Sequence, residues 1–553
     1  MTRIDRRIGL LFALFVLLLA VVAARAAWVQ AVRGGPLSAD AQSQQSDTVV
    51  IPGHRGTILD RKGKQLAVSE DAVSIYATPY QVARPAVAAR KLAPLLDRPA
   101  DEILAALADH EAGFAYLARK ADVATGEKVS ALGLEGVGLL PDSHRIYPQG
   151  ELAAHVVGAV GIDNQGLTGL EAAYDDLLRG DDGEREVVRD ALGDELERNT
   201  LEVAESGEQL RLTLDASLQA HTEEVLKGIG ETYQPEGATA IVLDPRNSEV
   251  LAMANWPTVD PDQPGAAEPD DLGNMATGFT FEPGSTFKAF TVAAALEEEL
   301  ITPQTVFDLP PTITLYDRTI GEAHDRGPVS LTVADILAQS SNIGAIKIGL
   351  ELGAKRFDRW IRRFGFGEPT GIDFPGEERG IVIPLDDYSG STMGNLPIGQ
   401  GLSVTAAQMA TGYAAIANGG ILRPPSLVLR RDGEEIGDAK QVRVISRATA
   451  EKVSGMLEGV LAPGGTASEV TVPGYTLAGK TGTAQKVIDG TYSESQYVAS
   501  FVGYAPADKP RLLVSVVVDD PKGDHYGGTV AAPAFGEIAK FALPYLGIAA
   551  NDN

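Results

Sequence analysis

The chain has 553 residues, enough for roughly two to four folded units. Lys and Arg number 47 against 75 Asp and Glu, a net charge of −28 that repels phosphate backbones and argues against a nucleic-acid partner. Cysteine is absent, which removes disulfide scaffolds, thiolate nucleophiles and zinc-thiolate sites together.

The first element in chain order is an apolar run from Ile8 to Ala24, without charge or strongly polar groups. At 1.5 Å per residue it spans about 25 Å, and continuing to Trp28 gives a full crossing of a bilayer core. Arg3, Arg6 and Arg7 precede it, which keeps residues 1–7 in the cytoplasm and sends everything after Trp28 outside. Ala24-Arg25-Ala26 also fits a signal-peptide cleavage pattern, but the run exceeds a usual signal core, so an uncleaved anchor over 8–28 is favoured.

Residues 29–48 read as a polar linker, with Gly34, Gly35 and Pro36 amid Gln and Ser. Asp60 to Gly63 has turn chemistry between two short strand-like runs. Residues 80–135 look helical and mixed. Leu210 to Leu214 reads as a strand and Ser217 to Leu226 as a helix. From Ala238 the pattern sharpens: Ala238 to Leu243 and Val250 to Ala254 form a hairpin around Asp244-Pro245-Arg246-Asn247. Helices are expected from about Ser285 to Leu300, over 331–364 and over 403–418. Three strands, Thr476 to Val487, Gln496 to Tyr504 and Arg511 to Val518, precede a last helix from about Ala532 to Tyr545. The fold class is α+β: one membrane helix, an elongated domain over 49–225, and an antiparallel sheet flanked by helices over 226–548.

The most informative stretch is Pro283-Gly284-Ser285-Thr286-Phe287-Lys288. Ser285 and Lys288 lie one helical turn apart, with Cβ atoms about 5–6 Å from each other. A serine hydroxyl is a poor nucleophile until a base takes its proton. Lys can be that base when burial, a second cation and the positive end of a helix dipole disfavour its ammonium. Alone, S-x-x-K is common in solvated helices. Ser340-Ser341-Asn342 follows 55 residues after Ser285, and Lys480-Thr481-Gly482-Thr483 follows 195 after it. S-x-x-K, S-x-N and K-T-G in this order form the serine acyl-transferase constellation of penicillin-binding proteins and serine β-lactamases.

The chain therefore resembles the class B penicillin-binding proteins, monofunctional peptidoglycan D,D-transpeptidases, and most of all their septal cell-division FtsI type. Arg55 to Ala67 and Arg145 to Gly183 resemble the family's non-catalytic pedestal, of the penicillin-binding protein dimerisation type. The phrases around Phe281, Asn395 to Gly401, Lys480 and His525 to Gly528 resemble its transpeptidase domain. No N-terminal glycosyltransferase domain and no appended C-terminal modules are expected. The resemblance implies that Ser285 forms an acyl-enzyme with the penultimate D-Ala of a stem peptide and that Lys288 accepts the serine proton. Ser340 would relay a proton to the leaving amine, while Asn342 holds the donor peptide and positions Lys288. Lys480 would raise the local positive potential, with Thr481, Gly482 and Thr483 binding the terminal carboxylate. Backbone N–H groups of Ser285 and Thr483 would form the oxyanion hole. The chemistry calls for no cofactor and no metal. Implied partners are peptidoglycan strands, β-lactams as covalent inhibitors, the membrane, a polytopic lipid II polymerase of the FtsW/RodA type, and divisome proteins. The alternatives are a β-lactamase, D,D-carboxypeptidase or β-lactam sensor on the same fold, or a non-enzymatic cell-wall scaffold.

Gly474 to Thr481 also satisfies the phosphate-loop pattern G-x-x-x-x-G-K-[ST]. That reading requires a helix starting at the Lys, whereas Gly482 and β-branched residues follow it. Elsewhere structural readings are preferred. Arg55, Asp60 and Arg61 fix a pedestal turn. Gly399-Gln400-Gly401 is a helix-entry turn. Glu297 to Glu299 form a solvated helix end, and Trp360 belongs to a core.

Overall fold

The computed structural model describes residues 3–30, 46–109, 111–189, 195–435 and 440–551, so most of the expected linker lies outside the described residues. A helix runs from Arg3 to Trp28. Its Arg6–Trp28 part has a mean hydropathy of 2.7 and none of it is buried, as a bilayer-facing helix requires.

The chain divides into two compact units, and it passes repeatedly between them. The first unit comprises Met1–His54, Asp71–His144 and Gly180–Ser206. In it, Ser46–Ile51, Gly183–Arg189 and Glu195–Glu202 form an antiparallel three-stranded sheet with Gly183–Arg189 in the middle. The expected helical stretch over 80–135 resolves into helices Pro85–Leu96, Ala100–Ala108 and Val123–Ser130, with a strand, Ala115–Asp122, between the second and third. Pro85 stands at the first helix's N-terminus, and Asp97 ends it in the left-handed conformation. Leu92, Ile103, Leu107 and Leu117 close a small core there.

The second unit comprises Arg55–Glu70, Arg145–Arg179 and Gly207–Asn553, so the two pedestal-like motif segments lie largely with the sheet of the later chain. Asp60 makes the expected turn: its Oδ1 accepts from the amides of Lys62 and Lys64, both at 2.8 Å. Arg55, however, does not join that turn. Its guanidinium donates to Glu171 Oε2 (2.9 Å), Asp175 Oδ1 (2.5 Å) and the Asn164 carbonyl (2.7 Å). Arg145 donates to the other Glu171 oxygen at 2.7 Å, so one fully buried carboxylate joins two buried guanidiniums from distant segments. Arg61 instead pairs with Glu249.

The main sheet is antiparallel, in spatial order Glu249–Trp256, Gly237–Asp244, Leu512–Asp519, Thr491–Ala505 and Ala478–Ile488. Leu512–Asp519 is buried at every residue, because the sheet is covered on both faces. Leu512, Val514 and Val516 pack with Leu218, Leu226, Phe535 and Ile538 from the helices Ala216–Tyr233 and Ala532–Tyr545. Leu513 and Val517 belong to the other core, with Val292, Ile343, Ala410 and Trp360. Helix Ala216–Tyr233 starts at Asp215, whose carboxylate caps the amides of Ser217 and Leu218. Both expected hairpin strands, the last three strands and the final helix appear where the sequence places them. Ala478–Ile488 stands at the sheet's edge, with its backbone free to meet another element.

Candidate active site

The segment that carries Ser285 is held before it reaches that residue. Phe281 exchanges two backbone hydrogen bonds of 2.9 Å with Val404. Gly284 follows with φ +52°, a conformation that excludes most side chains. Gly284 to Phe287 form one 3-10 turn, and the α-helix begins only at Lys288 and runs to Glu297. The expected single helix from Ser285 to Leu300 is thus split. The Thr286 hydroxyl donates back to the Pro283 carbonyl at 2.6 Å, and the buried Tyr413 hydroxyl donates to the Thr286 carbonyl at 2.7 Å. Phe287, Phe290, Phe366 and Tyr413 pack around the turn in tilted and edge-on pairs with centroid distances of 4.9–5.3 Å. These contacts hold the turn, and Ser285 is left partly exposed on it.

Lys288 is fully buried. Its Nζ donates to the Ser340 carbonyl (2.6 Å) and Asn342 Oδ1 (2.7 Å), with Ser340 Oγ at 3.3 Å. Ser340 reaches this position in the turn between helices Val333–Ala338 and Asn342–Leu352, with φ +60°. A left-handed serine is strained and persists only where its surroundings over-determine it. Burial pulls the Lys288 pKa down, Glu322 opposes it and Arg326 adds to it, and the net result is about 7.

Lys480 lies within the edge strand, also fully buried, and its Nζ donates to the carbonyl (3.1 Å) and hydroxyl (3.2 Å) of Thr481. Burial and the neighbouring Lys288 hold its amine well below the usual lysine range. Glu322 and Arg326 also bear on Lys288, the carboxylate favouring its ammonium and the guanidinium disfavouring it. Lys480 sits in a strand with no helix beginning at it, which removes the phosphate-loop reading.

The same strand passes directly beside the Ser285 turn. A Cβ on Gly482 would come within 2.3 Å of Ser500 Oγ and 2.9 Å of the Pro283 carbonyl oxygen, so only glycine permits the approach. Thr481 Oγ1 lies 2.7 Å from Thr466 Oγ1, and the Gly527 amide donates to Thr483 Oγ1 at 3.0 Å. Gly399-Gln400-Gly401 is not a helix entry; that helix begins at Ala406. Gly399 instead accepts a hydrogen bond from the Gly284 amide at 3.0 Å and buttresses the turn.

Ser285, Ser340, Asn342, Thr481 and Thr483 line a cleft of about 780 Å³, and the buried Lys288 and Lys480 bond to lining residues, Lys288 to Ser340 and Asn342 and Lys480 to Thr481. The three motifs, far apart in sequence, meet at one place. Sequence reasoning missed Glu322, Arg326 and Ser341. Glu322 accepts from the Asn342 amide (2.6 Å) and the Ser341 hydroxyl (2.6 Å), and Arg326 pairs with it at 2.5 Å. Only the i, i+4 spacing of Glu322 and Arg326 hinted at a pair. It missed, too, His324 and Tyr497, which form a rim with His525 and Tyr526 of the expected His525 to Gly528 phrase; Tyr497 and His525 stack at 4.0 Å. Glu297 and Glu298 are not merely solvated: Glu297 accepts from the Ser446 amide and hydroxyl, and Glu298 from the Trp360 indole at 2.9 Å. Trp360 is buried, as expected.

A serine beside a buried amine, at the edge of an antiparallel sheet with a lysine-threonine-glycine strand, defines a serine acyl-transferase site. The family described as penicillin binding protein transpeptidase domain matches residues 238–540, and the penicillin-binding protein dimerisation domain matches residues 50–212. Stage V sporulation protein D of Bacillus subtilis is 36% identical over 98% of this chain and 86% of its own length. The peptidoglycan D,D-transpeptidase FtsI of Escherichia coli is 33% identical over 97% of this chain and 91% of its own. The crystal structure of penicillin-binding protein 3 of Mycobacterium tuberculosis complexed with aztreonam superposes with a TM-score of 0.71, at 31% identity over 91% of this chain and 98% of that one. The chain belongs to the class B penicillin-binding proteins, of the FtsI type.

Proposed function

We propose that the protein is a peptidoglycan D,D-transpeptidase that cross-links stem peptides through an acyl-enzyme on Ser285. The observation that carries the reading is the buried Lys288 amine, one turn from Ser285 and shifted to about 7, where an uncharged amine is available at neutral pH.

Lys288 takes the Ser285 hydroxyl proton as Oγ bonds to the carbonyl carbon of the penultimate D-Ala. The tetrahedral intermediate collapses by breaking the C–N bond, and the proton passes through Ser340 to the leaving D-Ala amine. The amine of a second stem peptide then attacks the ester, loses its proton to the same base, and restores the Ser285 hydroxyl. An oxyanion hole from the Ser285 and Thr483 amides is supported by the edge strand. The Thr483 carbonyl faces Gly284, and a strand residue's N–H and C=O point the same way. Losing one such donor typically costs about 10²–10³ in rate. Thr481 and Thr483 offer hydroxyls to the terminal carboxylate, with Gly482 keeping the strand close. That carboxylate favours the protonated form of Lys480, so substrate binding itself restores the positive charge that burial suppresses.

Residues 8–28 anchor the chain, with residues 1–7 cytoplasmic and the catalytic region outside; the three arginines before the apolar run support this orientation. The division at 49–225 and 226–548 is supported by the two family matches, with Arg55–Glu70, Arg145–Arg179 and the chain from Gly207 packing in the catalytic unit. Septal duty, with a lipid II polymerase and divisome partners, is supported by likeness to a relative named FtsI. A fluorescent penicillin tests the chemistry. A stable adduct lost in Ser285→Ala is expected; rapid turnover would indicate a β-lactamase, and no adduct a scaffold. Depletion tests the duty: filamentous cells are expected, and rounded ones would indicate elongation.

A further inference from the structure

The Ser340–Asn342 motif does not hold Lys288 unaided. It occupies a strained turn, and the group that fixes this turn comes from a part of the chain that carries no motif. Just after the hairpin formed by Thr312–Leu315 and Arg318–Gly321, Glu322 turns its carboxylate under the motif, with its side chain only 6% exposed. Oε1 accepts from the Ser341 hydroxyl at 2.6 Å, and Oε2 accepts from the Asn342 amide at 2.6 Å. The neighbouring Gly321 carbonyl accepts from Asn342 Nδ2 at 3.0 Å, which leaves Asn342 Oδ1 aimed at Lys288. Arg326 closes the clamp: one nitrogen donates to both Glu322 Oε1 (2.5 Å) and Ser341 Oγ (2.9 Å). Ser341 Oγ in turn accepts from the Gly344 amide at 3.0 Å, capping helix Asn342–Leu352. A carboxylate at a helix N-terminus also meets the favourable end of its dipole.

We propose that Glu322 is a positioning residue for acylation: it locks the Ser341–Asn342 turn so that Asn342 and the Ser340 carbonyl hold the Lys288 amine, and with Arg326 it balances the charge around that amine. The inference rests on the reading of Lys288 as the base for Ser285. The charged groups facing Lys288 are Glu322 and Arg326 from this segment and Lys480 from the edge strand. Lys347, on the motif's own helix, donates elsewhere, to the Asp308 carbonyl. At the far end of the nucleophile helix, Glu297 and Glu298 are engaged by Ser446 and Arg359.

Glu322 favours the Lys288 ammonium and Arg326 disfavours it, so removing each moves the amine in opposite directions. The experiment measures the rate of acylation by a fluorescent penicillin against pH, using the detergent-solubilised full chain. Glu322→Gln is expected to lower the plateau rate by about tenfold or more and to move the acidic limb to lower pH. Arg326→Gln is expected to move that limb to higher pH. Glu322→Asp, which keeps the charge at a shorter reach, should leave the limb in place while the plateau falls. Limbs unmoved in both Gln variants would overturn the inference, whether or not the rates fall, because a merely structural pair loosens the site without opposed displacements. If Glu322→Gln has no cooperative thermal transition, the Arg326→Gln and Glu322→Asp profiles decide by the same criteria. Failure of the unaltered protein to acylate would instead remove the reading of Lys288 as base.

Discussion

The Gly284 amide donates to the Gly399 carbonyl at 3.0 Å, and the two backbones are so close that a Cβ on Gly399 would lie 2.1 Å from the Gly284 carbonyl oxygen. Gly399 also has φ +78°. A methyl group there must push the nucleophile turn aside and adopt an unfavourable backbone conformation. Gly399→Ala is expected to lower unfolding free energy by about 2 kcal/mol or more and to slow acylation by penicillin. Chemical denaturation and labelling kinetics on the same sample check both.

The Lys288 amine sets a pH dependence whose sign follows from its role. Its pKa in the folded protein is about 7, below the ordinary 10.5. Below pH 7 the amine is protonated and cannot accept the Ser285 proton, so acylation falls as pH drops through this value and levels off above it. A profile with no acidic limb near pH 7 would contradict the assignment. The same depression makes folding more favourable as pH rises from 7 towards 10.5, because the unfolded chain binds the extra proton across that interval.

Glu171 bridges Arg55 and Arg145 with almost no solvent access. Glu171→Ala leaves two buried cations with insufficient partners, and a loss of about 3–5 kcal/mol is expected. Replacing Arg145 together with Glu171 by apolar residues of similar volume should cost less than Glu171→Ala alone. Equilibrium unfolding of the two variants compares them.

The helix Arg3–Trp28 has an apolar surface and no buried face. Removing residues 1–30 should move the protein from the membrane to the soluble fraction without loss of penicillin labelling per folded molecule. Continued membrane association would place the anchor elsewhere.

Much of the architecture was legible because the later chain obeys local rules. The hairpin at Asp244 to Asn247 and the continuous apolar strands near the C-terminus announce themselves by pattern alone. The candidate site was legible as three short motifs, holding Ser285, Lys288, Ser340, Asn342 and Lys480, that the fold brings together. What escaped depends on tertiary placement. Residues 80–135 have helical composition, yet Ala115–Asp122 is drawn into a strand by pairing with the end of Gln65–Ala77. Glu322 carries no pattern of its own and matters only through the turn it reaches. Arg55 and Glu171 are separated by 116 residues, a distance across which no periodicity speaks.

The catalytic unit draws on three separate stretches: Arg55–Glu70, Arg145–Arg179 and everything from Gly207 onward. Ile58, Leu66 and Val156 share one hydrophobic cluster with Phe287 and Val517. A polypeptide emerging from its N-terminus cannot complete that interior until its final strands have appeared. Long-range closure of this kind slows folding and leaves greasy surface uncovered meanwhile. The enzyme therefore cannot exist until the whole chain has been delivered, a consequence written into the topology.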